Sequence, residues 1–296
     1  MGRLSVKQVG IVTDTFAQLT QDVIQEWGIK VVPAATINCD GRTFVDGVDI
    51  DIAGAFRLLA ADPEKFTTSA IPPTFFIQAF EEMARTTRQI FCVTASSKLT
   101  SGFSSAKLAA TLTQQKTEGL RIQVFDSMNA AGGEGLVALT AAKASAKGLN
   151  LDEVFGLAQK AHHDLLCYFV FDTLSYTYRT GRIPKIAAQG GDILRVKPLV
   201  RIGVDGKVRV IGLVRDRDRG VQRIKEIIMK TVGKKSVYVV VMHAAALNDA
   251  LELRSQLLAE FNCREIMVSE FSPVMGYATG PGVLGIAACP EYDILR

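Results

Sequence analysis

Apolar positions along the chain fall into two patterns. Short unbroken runs such as Val9-Gly10-Ile11-Val12 predict buried strands, and stretches with apolar residues every three or four positions predict amphipathic helices. The first strand ends at Thr13-Asp14-Thr15. A helix follows over Gln21–Trp27, then a strand over Ile29–Val32 running toward Ile37. Further strands are predicted at Gln89–Thr94 and Arg121–Phe125, separated by helices at Pro73–Arg85 and Ser105–Gln115. Gly133–Lys147 and Asp152–Leu166 are the next two helices, the first ended by Gly148-Leu149-Asn150. Strands spaced by helices of this length imply βαβ units and a parallel sheet.

The second half changes character. Cys167–Phe171 reads as a strand, and Ile193–Ile202 pairs with Lys207–Val214 around the hairpin signal Val204-Asp205-Gly206. Helix Arg219–Thr231, strand Ser236–Met242, helix Leu247–Phe261 and strand Glu265–Ser269 complete a mixed sheet distinct from the first. The pattern predicts two α/β domains, residues 1–155 and 156–296, without internal repeats.

Composition narrows the classes. The 296 residues are 48% hydrophobic and 22% charged, which excludes a disordered chain. Lys and Arg number 34 against 30 acids, a net charge of +4, and aromatics are 7%. So small a basic excess, interleaved with acids, argues against nucleic acid as a partner. Cys39, Cys92, Cys167, Cys263 and Cys289 are far apart and form no C-x-x-C pair, so a reducing cytoplasm is the expected compartment. The opening residues lack an apolar run long enough for a signal peptide. Phe271–Pro290 carries no charge and has the length of a membrane span, yet it holds Pro273, Gly276, Gly280, Pro281, Gly282, Gly285 and Pro290. These helix breakers predict a buried Gly-rich loop and strand instead.

Candidate chemistry is modest. Gly280-Pro281-Gly282-Val283-Leu284-Gly285 matches G-x-G-x-x-G, but the dinucleotide fingerprint needs a following helix, a second strand and a distant acid. Only eleven residues follow Gly285, so a tight turn is expected, with an anion role for its amides as the alternative. Gly102-Phe103-Ser104-Ser105-Ala106 approaches a nucleophile elbow, and Asp172 and His243 downstream would complete a hydrolase order. Ala106 replaces the last glycine, so a Ser104 hydrolase is only the second reading. His162 and His163 share a helix without further ligands, and no metal is expected. Thr67-Thr68-Ser69 and Ser96-Ser97-Lys98-Leu99-Thr100-Ser101-Gly102 stand at predicted loop-to-helix junctions. Such hydroxyls either cap helices or hold a carboxylate or phosphate.

At these residues the chain resembles the DegV family of bacterial fatty-acid-binding proteins. Val12-Thr13-Asp14-Thr15, Thr68-Ser69, Ser96-Ser97-Lys98-Leu99, Phe125-Asp126-Ser127, Thr180-Gly181-Arg182-Ile183, Lys197-Pro198-Leu199 and Gly280-Pro281-Gly282 follow in the family's order over nearly the whole chain. The resemblance implies a parallel, Rossmann-like N-terminal sheet with helices on both faces and a C-terminal mixed α/β sheet. It places one long-chain fatty acid between the domains. The implied carboxylate ligands are Thr68, Ser69 and either Thr100 or Ser101, because this chain reads Leu99-Thr100-Ser101-Gly102 where the family commonly has Leu-Ser-Gly-Thr. Thr279, Gly280 and Gly282 form a candidate head-group loop, and Ala278 stands where the family often has a histidine. The implied partner is a separate ATP-dependent fatty acid kinase subunit, with Arg215 as the matching contact. No cofactor beyond the fatty acid is implied, and a lipid store or sensor without a kinase partner is the further alternative.

Overall fold

The computed structural model describes residues 8–183 and 196–295. The parallel sheet is built from β1 (Gly10–Asp14), β2 (Lys30–Val32), β6 (Gln89–Thr94) and β7 (Arg121–Asp126), in the order β2-β1-β6-β7. Helix α1 (Gln21–Trp27) links β1 to β2. Helices α3 (Pro73–Met83) and α4 (Gly102–Lys116) cover one face, and α5 (Gly132–Ala146) and α6 (Leu151–Asp164) cover the other. Both faces are therefore dry, which is why β1 and β6 read as continuous apolar runs rather than alternating ones.

A small antiparallel sheet, β4-β3-β5, sits beside this one: β3 (Ala35–Cys39), β4 (Arg42–Val45) and β5 (Thr67–Ala70), with α2 (Ile52–Ala61) between β4 and β5. It corrects two expectations. The run from Ile29 toward Ile37 is two strands in different sheets, parted at Pro33, which cannot donate to a ladder. Thr67-Thr68-Ser69 is a strand and not a loop before a helix, because β-branched Thr67 and Thr68 pair with Asn38 and Ile37 of β3.

The mixed sheet runs β10-β9-β8-β13-β11-β12. Its strands are β8 (Leu166–Val170), β9 (Lys197–Ile202), β10 (Val208–Val214), β11 (Val237–His243), β12 (Cys263–Glu270) and β13 (Leu284–Pro290). The predicted hairpin is β9–β10; the earlier part of the Ile193–Ile202 strand, residues 193–195, lies outside the described residues. Helices α8 (Arg217–Val232) and α9 (Leu247–Glu260) cover the outer face, and α5 and α6 cover the inner one. The layer of α5 and α6 is thus shared by both sheets. A helix in that place must be apolar all round, and α5 is buried along almost its entire length.

Two short helices complete the chain. The segment Ser175–Thr180 forms α7. The uncharged segment begins as α10 (Pro273–Thr279), with Pro273 in its first turn and the Ser272 hydroxyl accepting from the Met275 amide. Only its second half is the expected turn and strand. Among the described residues, no helix is long and apolar enough to cross a membrane.

Candidate functional site

The order β2-β1-β6-β7 reverses direction between β1 and β6, and open α/β sheets bind ligands in the crevice outside the carboxyl ends of the strands at such a point. Asp14 ends β1 and spans this crevice. Its carboxylate accepts from the amide of Phe16 at 2.9 Å and from that of Ala95, just past β6, at 3.3 Å. Phe16 and Ala95 both line a cavity of about 210 Å³ that opens there.

The cavity lies between the two sheets. One wall comes from Ala35, Thr68 and Ala70 of the small sheet, Leu99, Thr100 and Ser101 ahead of α4, and Ala130. The other comes from Phe169 and Phe171, Thr177 and Thr180 of α7, Val200 and Ile202 of β9, and Val274, Met275, Tyr277, Ala278 and Thr279 of α10. The buried lining is almost wholly apolar, whereas Thr68, Ser69, Thr100, Ser101, Thr180 and Arg182 stand partly or fully exposed. Hydroxyls and one guanidinium therefore rim an apolar interior. An amphiphile with a small anionic head has the matching profile.

Register decides how the rim hydroxyls point. Thr68 pairs with Ile37 and Ala70 with Ala35, and cross-strand partners share a face, so Thr68 shares the cavity face with Ala35 and Ala70. Ser69 lies on the opposite face, where Asn38 donates to its hydroxyl at 3.4 Å. Thr100 stays near the helix entry, with the Gly102 amide donating to its hydroxyl at 3.4 Å, and Ser101 precedes α4 without capping it. Arg182 donates from Nε to the Leu99 carbonyl at 3.2 Å, which ties the end of α7 to the Thr100 loop.

The Gly280–Gly282 turn joins α10 to β13. Both glycines have positive φ, at 81° and 83°, and Cβ atoms there would meet Tyr176 and the Asp172 carboxylate. Thr279 lines the cavity but donates its hydroxyl to the Met275 carbonyl at 2.9 Å, while Gly280 and Gly282 lie outside the lining. Arg215 is exposed between β10 and α8, away from the cavity. Tyr277 and Thr177 escaped the sequence reading because α10 and α7 did; Arg182 was visible only within the Thr180-Gly181-Arg182 motif.

The hydrolase constellation is not assembled. Ser104 is exposed on α4, Asp172 pairs with Lys197 at 3.0 Å, and His243 Nδ1 accepts from the Ala246 amide. No hydrogen bond joins the three among the described residues. Burial also lowers the His243 pKa, which weakens it as a base. Among the described residues, no group of three or more His, Cys, Asp or Glu side chains is placed to hold a metal ion.

Residues 8–291 match the family model described as "Uncharacterised protein, DegV family". The chain belongs to the DegV family. A DegV domain-containing protein of Caldanaerobacter subterraneus subsp. tengcongensis, TTE1491, is 28% identical over 95% of this chain and 98% of its own. A fatty-acid-binding DegV family protein from Thermus thermophilus superposes with a TM-score of 0.86 at 26% identity, over 96% of this chain and all of that one. The Bacillus subtilis DegV, described as a fatty acid binding protein, shares the fold at a TM-score of 0.84 and 23% identity, over 96% of this chain and 100% of its own.

Proposed function

We propose that this DegV family member is a non-catalytic carrier that holds one long-chain fatty acid, its tail between the two sheets and its carboxylate at the hydroxyl rim. The observation that carries this reading is the apolar cavity with its hydroxyl rim at the crevice of the parallel sheet; the likeness to the Thermus thermophilus protein supports it. The division near residue 155, within α6, makes the cavity an interdomain one. Burying ~16 methylenes at ~0.8 kcal/mol each gives a gross gain of about 13 kcal/mol before ordering costs, so the tail supplies affinity and the rim supplies orientation. Thr68 and Thr100 are the principal carboxylate donors, with Ser101 beside them; Ser69 adjoins Thr68 on β5 but turns its hydroxyl to Asn38. The Thr279–Gly282 turn backs the cavity wall through Thr279, with Gly280 and Gly282 outside the lining.

The carrier works in the cytoplasm and presents the carboxylate to an ATP-dependent fatty acid kinase subunit for acyl-phosphate formation. Arg215 contacts that partner; its exposure away from the cavity suits this role. The test is titration with a fluorescent fatty acid. Thr68→Val combined with Thr100→Val weakens binding at least tenfold while circular dichroism and melting stay those of the folded protein; unchanged affinity overturns the head-group assignment. Arg215→Ala binds the fatty acid like wild type yet slows acyl-phosphate formation with the kinase subunit. Equal turnover removes Arg215 from the partner surface.

A further inference from the structure

Two hydroxyls lie deep in the cavity wall, Thr279 at 7% exposure and Thr177 at 5%. Thr279 is satisfied by the Met275 carbonyl. Thr177 differs: its Oγ1 is fully buried and has no hydrogen-bond partner among the described residues. It does not even bond back to the preceding helical turn, as Thr180 does to the Thr177 carbonyl at 2.8 Å. A buried hydroxyl left without a partner is costly, and replacing it with an apolar group of the same shape is the cheaper solution for an all-hydrocarbon ligand. A hydroxyl retained there needs an oxygen to face.

Its position says where on a ligand that oxygen would be. Thr177 and Thr180 are three residues apart on α7, so they share a face, and about 4.5 Å of helical rise separates them. Thr180 and Arg182 belong to the rim, and Arg182 holds the Leu99 carbonyl beside Thr100. One helical turn inward from the rim is the first few carbons of an acyl chain whose carboxylate sits at Thr100. The other buried lining residues, including Phe169, Phe171 and Val200, are hydrophobic except Thr279, whose hydroxyl the Met275 carbonyl already takes.

We infer that Thr177 is a specificity residue that selects acyl chains carrying a hydroxyl near the carboxyl end, as in a 3-hydroxy fatty acid. This rests on the fatty-acid reading above. A threonine hydroxyl can both donate and accept, so it pairs with either orientation of the ligand's hydroxyl. The pairing also relieves the orphaned Oγ1, and the two effects together correspond to about a tenfold preference.

The experiment is calorimetric titration of the full chain, stripped of lipid, with hexadecanoic, 3-hydroxyhexadecanoic and 12-hydroxyoctadecanoic acids. Wild type is expected to bind the 3-hydroxy acid about tenfold more tightly than hexadecanoic acid, and the 12-hydroxy acid no more tightly. Thr177→Val removes the preference and binds hexadecanoic acid several-fold more tightly, whereas Thr177→Ser keeps the preference. Equal or weaker binding of the 3-hydroxy acid by wild type, or a preference that survives in Thr177→Val, overturns the role of Thr177 and leaves the carrier reading intact. Failure to bind any of the three acids overturns both.

Discussion

Asp14 and Glu134 are a pair of fully buried, interacting carboxyls behind the Phe16 and Ala95 segment of the cavity wall, with the Thr13 hydroxyl donating to Glu134 at 3.1 Å. Burial dominates both groups and holds Asp14 at about 7, up from its ordinary 3.8, and Glu134 well above its usual range. Two carboxylates in contact cannot both ionise cheaply, so at least one proton is shared between them. A carboxyl harder to ionise in the folded state gives stability that is full below its unfolded value and is lost as pH rises through its folded value. Stability should therefore decline between roughly pH 4 and 7 on account of Asp14. Melting curves taken from pH 5 to 8 should show the decline, and Asp14→Asn, which keeps an oxygen for the Phe16 or Ala95 amide but cannot ionise, should flatten it. Identical slopes for the two proteins would show that the pair is not the source. Because Asp14 holds the Phe16 and Ala95 amides, ionisation also reaches the cavity wall.

Among the elements, α5 carries the largest share of the architecture, and glycine placement shows how tightly it is packed. A Cβ at Gly135 would lie 2.2 Å from the Ala17 carbonyl oxygen, a backbone atom with no room to yield. Gly156 on α6 faces open space within 4 Å. Gly135→Ala should thus cost about 1–3 kcal/mol or more through overpacking, whereas Gly156→Ala should add about 0.5–1 kcal/mol through helix propensity. Denaturant unfolding of both variants checks the contrast; equal effects would mean that α5 is less confined than its contacts indicate. The helix itself was legible, since Gly133–Lys147 was read from the sequence and Gly132–Ala146 is observed. What escaped was short and locally ambiguous. The segment Pro273–Thr279 is short, with Gly276 at its centre lowering helix propensity, and the packing of α10 against α2 and α7 adds to the Ser272 cap in holding it helical. β5 escaped because its Thr-Thr-Ser hydroxyls look like a capping cluster until β3 supplies a partner, and that pairing is non-local. The rim was legible as residue types; the facing of Thr68 and Ser69 required the register.

At the scale of the whole molecule, the cavity belongs to neither sheet alone: Phe16, Thr68 and Ala95 come from the N-terminal half, and Phe169, Val200 and Tyr277 from the C-terminal half. Phe66 stacks on Tyr277, a lining residue, with ring centroids 4.7 Å apart, which fastens the halves at the cavity wall. A ligand lying between them adds apolar contact to both at once, so its length determines how much of that contact is made. If the tail is enclosed, each two-carbon shortening removes about 1.6 kcal/mol, roughly a fifteen-fold loss of affinity. The same change lowers the ligand's contribution to stability, since a ligand at a hundred times its Kd adds about 2.7 kcal/mol to the folded state. Saturated acids from ten to eighteen carbons, titrated at fixed pH and salt, should give a steep ladder of affinities, and melting temperatures at one ligand concentration should follow it. Affinity should stop rising once the tail outgrows the enclosed space, so the break in the ladder measures the length the two halves enclose. A flat series would mean that the tail lies along a solvent-open groove, and that the two halves do not close over it.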